Sequence, residues 1–224
     1  MRIVRLARLA AAVAALSLAP SLAPAQLAGK LVFTPYVGAY APTTDLVRDT
    51  YVDQGTTVAL NVKHQTAFAS GLNASYWMTD RVAIEAGGLY SSSDMKQVSP
   101  EALSKHANIF AGSMKVMMQL LPPESGFNVR FGIGPAFITR GGSAYKSEID
   151  GKITGLTDVG AAASLCTRLA LTNTVGLRLR AEDYIYRAKM GFESSVLASD
   201  SRQFASRTQH DVVLSAGLQF FLNP

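Results

Sequence analysis

Six charged residues, Glu85, Lys115, Arg130, Arg178, Arg180 and Glu182, fall on the polar faces of alternating runs. Carboxylates and cations brought together in a confined interior could form an ion pathway or gate, or a static plug of salt bridges. A buried, isolated charge costs several kcal/mol, so the arginines are expected near the glutamates. Three or four cations facing two acids leave an imbalance, to be absorbed by water or by acids from loops.

Acid–base and nucleophilic chemistry find less support. An imidazole and a serine hydroxyl two positions apart on one strand face could share a proton. Here His64 precedes Thr66, and His106 precedes Asn108, at that spacing. His210 and Asp211 are adjacent, and neighbours on a strand point to opposite faces, so they cannot form a dyad by themselves. All three histidines lie at loop–strand borders, where a solvated polar residue is the ordinary expectation. No His/Cys group has zinc spacing, and Asp45, Asp49 and Asp53 do not follow the EF-hand pattern. No phosphate-binding glycine motif precedes a helix. No catalytic residue, cofactor or metal is therefore expected. Cys166 is the only cysteine, which excludes an internal disulfide, and it is not placed as a lipoprotein anchor.

The elements positioning the charges are alternating runs. In Asp211–Leu222, Val212, Leu214, Ala216, Leu218, Phe220 and Leu222 share one face. Asp211, Ser215, Gly217 and Gln219 share the other, with Val213 and Phe221 as apolar exceptions. A two-residue repeat of this length is a strand able to cross a bilayer core, which takes roughly 9–11 residues. Similar runs begin at Phe33, Gln65, Arg81, Asn108, Phe127, Asp158 and Thr174. The Asp158–Cys166 run is Ala-rich and also compatible with helix, although its alternation reads as strand. Short turns such as Met78-Thr79-Asp80-Arg81 alternate with polar segments around residues 43–63, 91–106, 140–156 and 187–209. Ser99-Pro100-Glu101 carries a helix-start signature, predicting at most a short helix within the second of these. The pattern describes an all-β, eight-stranded antiparallel up-and-down barrel with both chain ends on the short-turn side.

Alternation alone does not say which face meets the surroundings. A soluble, lipocalin-like carrier would turn the apolar face inward; a transmembrane β-barrel would turn it outward. Glycines on the polar faces (Gly38, Gly71, Gly87, Gly132, Gly134, Gly160, Gly217) suit the crowded interior of eight strands and favour the membrane. Aromatic residues near strand ends, Tyr76, Trp77, Tyr90, Phe127, Phe137, Tyr184 and Tyr186, are expected to form interfacial girdles.

The N-terminus points to export. Arg2, Arg5 and Arg8 precede or enter an apolar run ending near Ala19, and Ala23-x-Ala25 forms a small-x-small cleavage site. Residues 1–25 are expected to be a removed secretory signal, and 26–224 a single barrel domain. The formal charge of +5 then falls to about +2, since three arginines and no acids leave with the signal. Without a basic cluster in the rest of the chain, nucleic-acid binding is not expected.

Ser215-x-Gly217-x-x-Phe220-x-Leu222 resembles the C-terminal strand signal of bacterial outer-membrane barrels, although the chain runs on to Asn223-Pro224. With the opening Phe33-Thr-Pro-Tyr-Val-Gly-Ala-Tyr and the strand plan, residues 30–222 resemble the small barrels that include the OmpA transmembrane domain and the OmpX- and OmpW-like proteins. That resemblance implies a non-enzymatic, monomeric protein of the cell outer membrane. Its contacts would be with lipid, lipopolysaccharide and the barrel-assembly machinery, and its loops would be exposed for structural or interaction roles. It also leaves open a narrow pore, or a conduit for small hydrophobic molecules through a lateral opening.

Overall fold

The computed structural model describes residues 27–53, 56–99, 103–121, 128–146, 151–172, 174–194 and 202–222. The expected signal segment 1–25 and Phe127 lie outside them.

The long alternating runs fold into eight barrel strands. In chain order these are β1 (Leu31–Pro42), β4 (Ala67–Trp77), β5 (Val82–Ser99), β6 (Leu103–Gln119), β7 (Asn128–Gly141), β9 (Thr157–Ala170), β10 (Val175–Ala188) and β13 (Arg207–Leu222). Each pairs antiparallel with its sequential barrel neighbour, and β1 closes the cylinder against β13 from Leu31↔Leu222 to Pro42↔Asp211. Closure leaves no sheet edge within the membrane-spanning part, as backbone hydrogen bonding in hydrocarbon requires. The Ala-rich run is strand β9, fixed by ladders to both β7 and β10.

The short-turn end is tied by side-chain oxygens. Thr79 Oγ1 accepts from the amides of Arg81 (3.2 Å) and Val82 (3.0 Å). Asp80 Oδ1 accepts from Leu27 N at 2.7 Å and Ala28 N at 3.0 Å, fastening the N-terminal approach to this turn. Thr172 repeats the Thr79 arrangement, accepting from Thr174 N and Val175 N.

The polar segments at the other end are more ordered than their composition suggested. The first contains a hairpin, β2 (Val47–Asp53) and β3 (Thr56–His64), which extends the barrel sheet through β3–β5 pairing. In the second, β5 simply continues through Ser99, so the expected helix start is strand at that residue; residues 100–102 lie outside the described set. The third and fourth supply a 3-10 turn (Ser143–Tyr145) and a small sheet of β8 (Gly151–Thr154), β11 (Gly191–Ser194) and β12 (Arg202–Gln203). With 18 residues at about 3.4 Å each, β5 is longer than a hydrocarbon core of roughly 30 Å needs and projects beyond it.

The apolar faces point outward. Leu214 is 56% exposed, Val159 77% and Phe131 37%, whereas Arg178 and Arg130 are 3% and 2% exposed. Such a belt of Leu, Ile, Val, Met and Phe would be unstable in water and fits a lipid surround. The soluble-carrier alternative, which required the reverse orientation, is not supported. The aromatic girdle is smaller than expected. Tyr76, Tyr90 and Phe137 face outward, but Trp77, Tyr184 and Tyr186 are buried in the lumen.

Candidate functional site

The lumen at mid-height is held by ions that the inward parity of four strands brings together. Glu85 on β5 receives Arg178 of β10 at two points, Nη1 to Oε2 at 2.5 Å and Nη2 to Oε1 at 3.2 Å. Ser75 on β4 donates to the same carboxylate at 2.8 Å, and Lys115 Nζ on β6 stands 3.5 Å from it. Lys115 also pairs closely with Glu182 of β10. Arg180 bridges the two acids, 3.1 Å from Glu182 and 3.6 Å from Glu85, and donates to Asn73 Oδ1 at 2.9 Å. Its guanidinium lies 4.5 Å from the centre of the Tyr36 ring. Three cations thus share two carboxylates, all nearly inaccessible, in one network joining opposite walls. Room for these long chains comes from small residues. A Cβ on Gly87 would strike Asn73, and one on Gly132 would strike Met117 and Ser164.

Five of the six charges singled out in the sequence therefore meet. Arg130 does not join them: it stacks 4.4 Å from the centre of the Trp77 ring and donates from Nε to Asn128 Oδ1 at 3.1 Å. On β7 it pairs in register with Gln119 and Cys166, nearer the short turns than the glutamates can reach. Cys166 is buried and free.

The half of the lumen nearer the long connections was not anticipated. Its walls are apolar and aromatic, with Tyr40, Leu89, Ile109, Ile138, Tyr184 and Val213 in one buried cluster. Leu46, Val47, Ala144, Tyr145 and Met190, from the long connections, complete that cluster from above. Polar groups here pair locally. Arg140 Nη1 donates to Asp158 Oδ2 at 2.7 Å, and Tyr186 donates to Asp211 Oδ2 at 2.6 Å. Asp158 and Asp211 had the right parity to be counted with the lumen acids; their position beside loop residues obscured that.

The histidines also differ from expectation. His64 is buried, with Nε2 2.5 Å from the Tyr145 hydroxyl, which links the β2–β3 hairpin to the 3-10 turn. Burial and the nearby Arg140 guanidinium lower its pKa from 6.5 to about 3, so the ring is neutral. His210 pairs with Asp183 on the adjacent strand, Nδ1 to Oδ2 at 2.9 Å, on the outer wall. Among the described residues no hydroxyl is hydrogen-bonded to the other ring nitrogen. His106 lies 3.7 Å from Asp94 and is exposed. No group of three His, Cys, Asp or Glu residues able to hold a metal occurs among the described residues.

The C-terminal strand presents Phe220 and Leu222 to the outside, while Gly217 faces the lumen with Ser215 beside it. Gly217 lies against the Pro35 carbonyl and Tyr36, where a Cβ would meet the former at 2.6 Å.

The chain matches no protein-family model and no curated protein sequence. Its fold is nevertheless that of solved outer-membrane barrels. The crystal structure of the outer membrane protein OprG from Pseudomonas aeruginosa aligns with TM-score 0.65 at 16% identity, covering 90% of this chain and 99% of OprG. The solid-state NMR structure of the outer membrane protein AlkL in DMPC lipid bilayers aligns with TM-score 0.63 at 12% identity, covering 91% and 95%. The chain has the fold of the small outer-membrane β-barrels, with its apolar faces outward.

Proposed function

We propose that this protein is a non-enzymatic, monomeric integral barrel of the cell outer membrane, closed at mid-height and presenting its long connections at the cell surface for structural or interaction roles. The single observation that carries this reading is the wall-to-wall ion network, in which Arg178 reaches Glu85 and Lys115 reaches Glu182 across the lumen. Eight strands leave an interior wide enough for little more than side chains, and at mid-height the charged ones pair with one another. His210 has a carboxylate but, among the described residues, no hydroxyl on its other ring nitrogen, and the charged neighbours of Cys166 are arginines rather than a histidine. The protein in planar bilayers should be silent over a range of voltage and salt; steady unit conductance from the unmodified chain would overturn the closed reading.

A second reading, a conduit for small hydrophobic molecules, draws on the apolar upper lumen roofed by Leu46, Val47, Tyr145 and Met190. In it, the ion network forms the floor of an apolar vestibule, and cargo would leave sideways through the wall. The barrel ladders are interrupted opposite Pro35, between β1 and β13, and opposite Pro135, between β6 and β7, since proline has no amide to donate. Uptake of a small alkane into vesicles, with and without the protein, decides this reading: equal rates remove it.

A further inference from the structure

Below the ion network, toward the short turns, the lumen holds two guanidiniums with no acid. Arg130 is 2% exposed and stacked on Trp77; Arg168 lies over the Phe221 ring, 4.1 Å from its centre. Among the described residues, no carboxylate forms an ion pair with either. The nearest charged neighbour along the ladder is another cation, since Arg168 and Arg178 are register partners on β9 and β10.

Buried polar atoms around them also lack partners, the acceptor Gln119 Oε1 as well as several donors, and a neutral amide oxygen cannot offset the charge. Trp77 Nε1, Gln119 Nε2, Arg130 Nη2 and Arg168 Nε are all buried without a hydrogen-bond partner. Trp77 and Gln119 are themselves only 1% and 7% exposed. An unpaired buried donor is costly, and an unpaired buried charge more so. Water could accept these hydrogen bonds, but it would not offset two like charges in a confined, poorly polarisable space. The network above cannot supply the missing charge, because its two carboxylates already serve three cations.

From this we infer that the short-turn half of the lumen is an anion site, taking a small oxyanion of the phosphate type. Several oxygens around one centre can accept from Arg130, Arg168, Gln119 and Trp77 together, and charge-assisted hydrogen bonds to guanidinium are the strong kind. Arg168 is only partly buried and so provides a route in from the mouth. In barrels of this type the short-turn end faces the periplasm, which makes a periplasmic phosphate the accessible source. The phosphate of an inner-leaflet lipid headgroup carries the same chemistry.

Trp77 is the only tryptophan of the chain, so its fluorescence reports directly on the site. The purified protein, in a nonionic detergent free of phosphate, is titrated with inorganic phosphate at constant ionic strength set by chloride. A parallel arm uses phosphatidylglycerol nanodiscs without added phosphate, where a headgroup in the site would shift Trp77 emission relative to the detergent sample and leave no further response to free phosphate. A saturable change in Trp77 emission with phosphate, or a specific change in phosphatidylglycerol, supports the site. The midpoint should then weaken about tenfold or more in Arg130→Gln and Arg168→Gln, as loss of a charge-assisted bond implies. Arg187→Gln, at the opposite end, should leave it unchanged. Should Arg130→Gln not fold, as judged by the heat-dependent gel shift, the partly exposed Arg168 carries the test alone. No saturable response in either arm, or an unaltered midpoint in the folded variants, overturns the inference.

Discussion

Glu85 on β5 and Arg178 on β10 meet across the lumen in a two-point contact, 2.5 and 3.2 Å, with neither side chain more than 3% exposed. Removing one partner leaves the other charged and enclosed, which is more damaging than the pair's own net contribution. Glu85→Gln should therefore destabilise the barrel by about 3–5 kcal/mol, the range for breaking a buried pair. Replacing both, as in Glu85→Gln with Arg178→Met, should recover part of that loss. Urea unfolding from lipid vesicles measures both; a Glu85→Gln cost below about 1 kcal/mol, as for exposed pairs, would contradict the buried geometry.

The opposite face of the same wall gives a contrasting expectation. Leu214 points outward in the middle of β13, between Ala181 of β10 and Ala39 of β1 in the ladders. Leu214→Arg should cost about 2–4 kcal/mol in a bilayer, the range for a cation near the midplane of a barrel's lipid face. Leu214→Ala should cost much less, because a lipid chain fills the space a rigid core would leave empty. Equal stability of Leu214→Arg and the unmodified protein in vesicles would place that face elsewhere than against lipid.

Parity carried most of the reading of this fold. Leu214 outside and Arg178 inside both follow from counting by two along a strand, and that count assembled five of six lumen charges. The same count, applied to the aromatics, would have placed Tyr184 and Tyr186 with Glu182, and Trp77 with Ser75, inside the barrel. Reading them as a girdle gave position along the strand more weight than face. Arg130 lies in the lumen as its parity implies, but away from the network: face is encoded locally, whereas height in the barrel depends on stagger between strands, which the sequence does not show. The His64–Tyr145 contact was least legible. It joins residues 81 apart through docking of two connections, and nothing near His64 signals its burial.

That contact predicts a response to acid. His64 has its folded pKa lowered to about 3 from 6.5 by burial and by Arg140. The undocked hairpin therefore binds more protons than the docked one between those values. Docking is at full strength above about pH 6.5 and weakens as pH falls toward 3, by at most about 1.4 kcal/mol per pH unit. Limited proteolysis within residues 43–64 should accelerate between pH 7.5 and pH 5. His64→Phe should remove that dependence while retaining most of the packing against Tyr40. An acid response unchanged in His64→Phe would assign it to another group.

Two adjacent phenylalanines of the last strand face opposite ways. Phe220 faces outward and is 40% exposed; Phe221 faces inward beneath Arg168 and is 6% exposed. A machinery that recognises the strand before closure would read the outward row of Leu218, Phe220 and Leu222. The finished barrel, by contrast, depends on the packing of Phe221 with Trp77, Val32 and Leu27. Phe221→Ala should therefore lower the urea midpoint in vesicles, with a cost of about 3–5 kcal/mol for a buried phenylalanine. Phe220→Ala should change that midpoint little, because lipid replaces the ring, yet slow the appearance of heat-modifiable barrel in cells. Following both variants by pulse labelling and by equilibrium unfolding distinguishes the roles. If Phe220→Ala assembles at the unmodified rate, the outward row is lipid contact alone and carries no assembly signal.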